Sequence, residues 1–159
     1  MINSILAYTN KYYPCSLESQ TFKIVSDGIE GTFTDTYLVG QYVNIMDSVL
    51  NDGTYKITGV TGSKLTLDAT LLEEESYIYL WGLQLPRGYI TLIDDITTYN
   101  NSVTNKAELT SETQGNRSVT YKNGSSWQNA FMSQLANYRS MFDDRITYCR
   151  QYNINTKGW

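Results

Sequence analysis

Apolar positions change their period several times along this 159-residue chain. Ile2, Ile5, Leu6, Thr9 and Tyr13 share one helical face, and Pro14 follows where a helix should stop, so residues 2–13 are expected to form a short amphipathic helix. From Thr21 to Leu85 the pattern shortens toward alternation. Phe22, Ile24, Asp27-Gly28 and Ile29 read as strand, tight turn and strand. Tyr42-Val43-Asn44-Ile45 alternates loosely, Asn51-Asp52-Gly53 and Gly62-Ser63 mark turns, and Tyr55, Ile57, Val60, Leu65 and Leu67 fill the runs beside them. Tyr77 to Leu83 is a last, aromatic-rich strand. Five or six short strands broken by glycine-containing turns predict a compact antiparallel barrel or sandwich. The run Glu73-Glu74-Glu75 is expected to cap a solvated loop within it.

Pro86 suits a first helical turn, and Tyr89, Leu92, Ile93, Ile96 and Tyr99 then recur every three or four residues, predicting a helix that ends near Asn100-Asn101. Asp94 and Asp95 lie between the apolar positions, on or near its solvent side. Asn100 to Ser126 is rich in Asn, Thr, Ser and Gly, with Val103, Ala107, Leu109, Val119 and Tyr121 as its apolar side chains. A polar connection this long is usually functional or disordered, and within it Ser118-Val119-Thr120-Tyr121 alternates like one short strand. Trp127, Phe131, Leu135, Tyr138, Phe142, Ile146 and Cys149 then form a continuous seam. Ser125 or Ser126 is the expected N-cap, and Arg139, Asp143, Asp144, Arg145 and Arg150 fall largely outside the seam. About 24 residues would make a rod of roughly 36 Å, with Phe131→Ala costing ~3–5 kcal/mol as a core truncation.

The fold class expected from this pattern is α+β: a small antiparallel bundle of about three helices, carrying an inserted β module and a long polar arm. Residues 1–20 and 86–159 would form the helical domain with its arm at 100–126, and residues 21–85 the insert. The polar tail from Asn153 ends in Trp159, which is either an anchor for a partner or sequence without a docking role.

Composition narrows the functional classes. Fourteen tyrosines stand against four phenylalanines, a ratio that suits surfaces buried on assembly and also ordinary strand preference. The net charge is −4 with no run of Lys and Arg, so duplex DNA should bind no tighter than about 10⁻⁴ M at physiological salt. No membrane span or signal peptide is expected. Cys15 and Cys149 read as two reduced, buried thiols of a cytosolic product.

Candidate chemistry is sparse. Without histidine, Ser-His-Asp and Cys-His arrangements are impossible. Asp94 and Asp95 diverge on a helix, no glycine-rich phosphate loop opens a helix, and Asp52 lacks calcium-loop spacing. No catalytic residue, metal or cofactor is expected. Tyr42, Tyr55, Tyr77, Tyr79 and Trp81 could form an aromatic sugar platform, or serve as core and cross-strand pairs.

Three stretches carry a resemblance: Val39-Gly40-Gln41-Tyr42-Val43-Asn44-Ile45-Met46-Asp47-Ser48 running into Leu50-Asn51-Asp52-Gly53-Thr54-Tyr55; Trp81-Gly82-Leu83-Gln84-Leu85-Pro86; and Ser111-Glu112-Thr113-Gln114-Gly115-Asn116-Arg117-Ser118-Val119-Thr120-Tyr121 followed by Trp127, Phe131, Leu135 and Tyr138-Arg139. In this order the chain resembles the head–tail connector, or adaptor, proteins of long-tailed bacteriophages of Gram-positive hosts. One departure is Thr113, where the family's arm usually reads Ser-Glu-Ser-x-Gly.

The resemblance implies a virion protein of the neck, in a ring of commonly twelve copies beneath the portal. Its neighbours would be the portal and a head-completion or tail-completion protein, and it would surround passing duplex DNA. It also implies that the arm residues Ser111, Glu112, Gly115, Arg117, Ser118, Val119, Thr120 and Tyr121 meet another chain. The rivals are another neck or tail-completion protein of the same virion, a surface-binding β module, and an enzyme.

Overall fold

The computed structural model describes residues 1–106, 112–114, 117–119, 126–152 and 154. Six strands form a closed antiparallel barrel: β1 Pro14–Val25, β2 Gly28–Glu30, β3 Tyr42–Met46, β4 Gly53–Thr61, β5 Lys64–Leu67 and β6 Glu74–Leu83, in the order β1-β2-β5-β4-β3-β6. The helices are α1 Ile2–Thr9, α2 Arg87–Lys106, α3 Trp127–Ala130, α4 Met132–Leu135 and α5 Asp144–Gln151, with a 3₁₀ turn at Ala136–Tyr138. Between α2 and α3, β7 Glu112–Gln114 pairs antiparallel with β8 Arg117–Val119.

The expected helical bundle with an inserted module is therefore corrected: the fold is mainly a six-stranded antiparallel sheet, and among the described residues four of the five α-helices span eight residues or fewer. The physical reason lies in where the apolar surface is consumed. Alternation along the strands sends Phe22, Ile24, Ile29, Val43, Ile45, Ile57, Leu65, Ile78 and Leu80 into one enclosed cluster, which is a core in its own right. Two-residue links hold the register: Val25 faces Gly28 across Ser26-Asp27, one residue earlier than the turn expected, and Thr61 faces Lys64 across Gly62-Ser63. A Cβ on Gly28 would lie 1.9 Å from the Leu65 carbonyl oxygen, so only glycine lets β2 approach β5. Glu18, buried on β1, accepts the Thr34 and Asp35 amides at 3.1 and 3.2 Å and pins the long β2–β3 connection.

The chain divides into two compact units, Met1–Thr9 with Pro86–Arg139, and Asn10–Leu85 with Ser140–Trp159. In the helical unit α1 ends earlier than expected, because Asn10 adopts a left-handed conformation (φ 52°), which asparagine tolerates better than most residues. Pro14 heads β1 and is not the helix stop. Tyr89, Leu92, Ile93 and Ile96 are buried on α2, while Asp94 and Asp95 are exposed. This helix runs past Asn100-Asn101 to Lys106. Its hydroxyls bond back to helix carbonyls, Thr97 to Ile93 and Ser102 to Tyr99, both at 2.7 Å, so polar residues do not end it.

The expected 36 Å rod is also corrected. Arg139 is extended (φ −79°, ψ 132°) and Asp143 caps a new helix, its carboxylate accepting the Arg145 amide at 2.9 Å. The seam breaks, and its two halves fall in different units.

Candidate assembly surfaces

The β3–β4 and β5–β6 loops of the barrel are fastened together by a polar clasp. Asn51, itself buried, donates from Nδ2 to the Leu72 carbonyl at 2.8 Å and to Glu74 Oε1 at 2.6 Å, and its Oδ1 accepts the Leu72 amide at 2.8 Å. Ser48 donates its hydroxyl to Glu74 Oε1, Val49 gives its amide to Glu74 Oε2 at 3.2 Å, and Ser76 donates to the same oxygen at 2.8 Å. Asp52 holds the Ser48 amide at 2.8 Å. Burial pushes the Glu74 carboxyl up, but the donors from Ser48, Asn51, Ser76 and Val49 outweigh it and leave the group below its ordinary value of 4.5. Glu74 is therefore not the solvated loop cap expected; it is the hub of the clasp.

Three aliphatic side chains project from these tied loops: Val49 at 81% exposure, Leu72 at 59% and Leu50 at 53%. Such residues on a fixed backbone lose little freedom when a partner covers them. Three of the clasp's residues, Ser48, Asn51 and Asp52, fall within the stretches Val39 to Ser48 and Leu50 to Tyr55 singled out in the sequence.

A second feature is the latch of α5 on the barrel. Arg145, buried, donates to Asn44 Oδ1 at 2.6 Å, pairs with Asp143 through Nε and Nη2, and lies 3.6 Å from the Tyr12 ring centroid. Asp144 accepts the amides of Tyr12 and Tyr13 at 2.8 and 2.9 Å. Tyr148 meets Trp81 edge-on at 5.7 Å, which closes the outer face of β6 over a buried indole. Immediately before the latch, Met141 and Phe142 are 88% and 70% exposed.

The aromatic sugar platform is not assembled. Trp81 is buried, Tyr55 packs against the barrel's core, and Tyr77 is the exposed member, meeting Tyr79 edge-on at 6.0 Å. Cys149 is buried as expected, but Cys15 is exposed.

The seam residues behave unequally. Trp127 is half-buried against Tyr8, Phe131 half-buried against Tyr99, and Tyr138 stacks on Tyr89 at 4.5 Å. Leu135 is fully buried, whereas Phe142, expected in the same core, faces outward. A recess of about 250 Å³ lies among Gly88, Thr91, Leu92, Asp95, Gln134, Asn137 and Tyr138; it is smaller than the roughly 300–1,000 Å³ of ordinary ligand pockets.

Of the arm residues, Glu112 lies in β7 and Arg117, Ser118 and Val119 lie in β8, so the single strand expected is one limb of a hairpin. Ser111, Gly115, Thr120, Tyr121 and the tail's Trp159 lie outside the described residues. Sequence reasoning missed Ser48, Asn51, Glu74, Asp143, Asp144 and Arg145. The one signal for any of them was Asp143, an N-cap residue type in the middle of an otherwise helical seam.

Among the described residues no group of three or more His, Cys, Asp or Glu side chains is placed to hold a metal ion, and no helix is long and apolar enough to cross a membrane. No protein-family model, curated protein or solved structure matches the chain.

Proposed function

We propose that the chain is a structural subunit of a tailed bacteriophage neck, an adaptor that assembles as a ring between portal and tail and encloses the passage for DNA. The observation that carries this reading is the clasp: a closed barrel with a complete core nevertheless holds Val49, Leu50 and Leu72 outward on a hydrogen-bonded frame. Exposed apolar groups gathered at one site mark surfaces made for a partner. The ordered resemblance to adaptor proteins names the partner: sister copies, commonly twelve, the portal above, and a head-completion or tail-completion protein below. The net charge of −4 suits a passage that does not grip its cargo. The role is scaffolding, without catalysis.

The test is incorporation into particles. Purified virions should carry the chain at the neck, visible by labelling of a tagged copy in electron micrographs. The double variant Val49→Asp, Leu72→Asp should melt like the parent protein and be left out of particles. Mature virions lacking the chain, or normal incorporation of the double variant, would sink the proposal.

A further inference from the structure

We infer that the β7–β8 hairpin pairs with the same hairpin of the next copy, β8 of one chain against β7 of its neighbour, so that a ring of subunits is bound by one continuous antiparallel belt. The inference rests on reading the chain as a ring-forming subunit.

Every strand of the six-stranded barrel has a neighbour on both sides, although β1 meets β2 only through Lys23–Val25 and its stretch Pro14–Phe22 has β6 alone as a strand partner. The other sheet has two strands, and each therefore keeps one edge whose backbone donors and acceptors point away from its partner. A two-stranded hairpin of three-residue strands is marginal in water by itself and is stabilised by further strands. Strand addition from another chain supplies them.

Charge then selects which edge meets which. The six strand residues read Glu-Thr-Gln and Arg-Ser-Val, so β7 is acidic through Glu112 and β8 basic through Arg117. The hairpin aligns Gln114 with Arg117, Thr113 with Ser118 and Glu112 with Val119. If β8 meets a neighbour's β7 in this same register, Arg117 sits opposite the neighbour's Gln114 and diagonal to its Glu112, a position at which opposite charges attract.

The two-fold alternatives lack that match. Pairing β7 with β7 about Thr113 sets the two Glu112 residues on a diagonal, and pairing β8 with β8 about Ser118 does the same to the two Arg117 residues. The favoured contact is thus head-to-tail. Successive copies run in the same sense, which is the relation that closes rings and that an isologous dimer does not have.

The experiment is a charge swap read by sedimentation velocity on the full chain, with folding of each variant followed by circular dichroism. Wild type should associate with increasing concentration. Glu112→Arg and Arg117→Glu should each weaken association by roughly two- to thirty-fold, since a diagonal attraction becomes a repulsion. An equimolar mixture of the two single variants should regain it, because each acidic strand again meets a basic one, and so should the double variant in one chain. A defect confined to the hairpin's own folding would not be rescued by mixing. Wild type that stays monomeric to millimolar concentration, single variants that associate like wild type, or a mixture that fails to recover overturns the belt. A chain located in the virion neck but indifferent to the swaps keeps the adaptor and loses the belt; a belt-forming chain absent from virions does the reverse.

Discussion

The barrel and the helical unit bury their side chains by different means. Inside the barrel, aliphatic residues on alternating positions of all six strands meet in one enclosed cluster, and Ile29, Val43, Ile45, Ile57, Ile78 and Leu80 are fully buried. In the helical unit much of the contact is made by rings in pairs: Tyr8 with Trp127, Tyr89 with Tyr138, and Tyr99 with Phe131. The Tyr89 hydroxyl is further bonded to Thr9, so even the most buried ring there keeps a polar tether. A closed sheet can satisfy its own backbone and fill its own interior, whereas short helices expose flanks that rings cover only in part. The difference explains why tyrosine outnumbers phenylalanine in the chain: its hydroxyl tolerates the half-wet positions that helix flanks and barrel exteriors offer.

Truncating one ring in each region separates the two kinds of packing. Phe22→Ala, in the barrel core, should cost ~3–5 kcal/mol by urea denaturation. Phe131→Ala should cost only about 1–2 kcal/mol, since its ring is half-buried against Tyr99 and leaves a void open to water. Equal losses would mean that the helical unit has a core as closed as the barrel's.

A smaller effect is expected at the latch. Arg145→Met keeps the stem but removes the guanidinium that joins Asn44, Asp143 and Tyr12. The loss should be about 2–4 kcal/mol, below the full value for a buried pair because Asp143 retains some access to water. Detachment should show as faster exchange of the Tyr12 and Tyr13 amides, which Asp144 holds, while the amides of β4 and β5 remain protected. Uniform exchange across the barrel would mean that α5 and the sheet open as one.

Legibility follows the range of the interaction. The strands could be read because alternation and glycine turns are local, and the β4–β5 link lies at the Gly62-Ser63 turn read from the chain. The broken seam could not, because a spacing of three and four runs unchanged across Arg139–Asp143 while the backbone does not. Beyond the break Arg145 is held by Asn44 and Tyr12, residues 101 and 133 positions away, contacts that no window along the chain reveals. The clasp was hidden for a related reason: Glu74 looked like one of three solvated acids, and only the fold brings Ser48 and Asn51 to it. Half of the hairpin was visible in the alternation of Ser118 to Tyr121; β7, Glu-Thr-Gln, carries no apolar residue to mark it.

The clasp also gives the barrel a local acid sensitivity. The folded Glu74 carboxyl lies below its ordinary value of 4.5, so its contribution is fully present above pH 4.5 and is lost as the pH falls through the lower folded value. Exchange of the Val49 and Leu72 amides should accelerate in that window before the barrel core opens. Asn51→Ala should mimic the effect at neutral pH, costing about 1–2 kcal/mol through the orphaned Leu72 amide and carbonyl. Loop amides that stay protected until global unfolding would show that Glu74 does not govern the clasp.

The smallest effect on stability is expected where the sequence pattern promised one of the largest. Phe142 falls on the predicted seam, yet it is 70% exposed beside Met141, between the end of one unit and the cap of α5. Phe142→Ser removes almost no buried area, so unfolding free energy should change by no more than about 0.5 kcal/mol. Its consequence should appear in assembly: an exposed ring next to an exposed methionine is surface that a neighbour can dry, and the serine variant should associate more weakly in the same sedimentation assay that reads the hairpin. A melting temperature lowered as far as that of Phe22→Ala would place Phe142 back in a core and restore the unbroken helix. An unchanged stability with unchanged association would leave Phe142 outside both, and would confine the contacts between copies to the clasp and the belt.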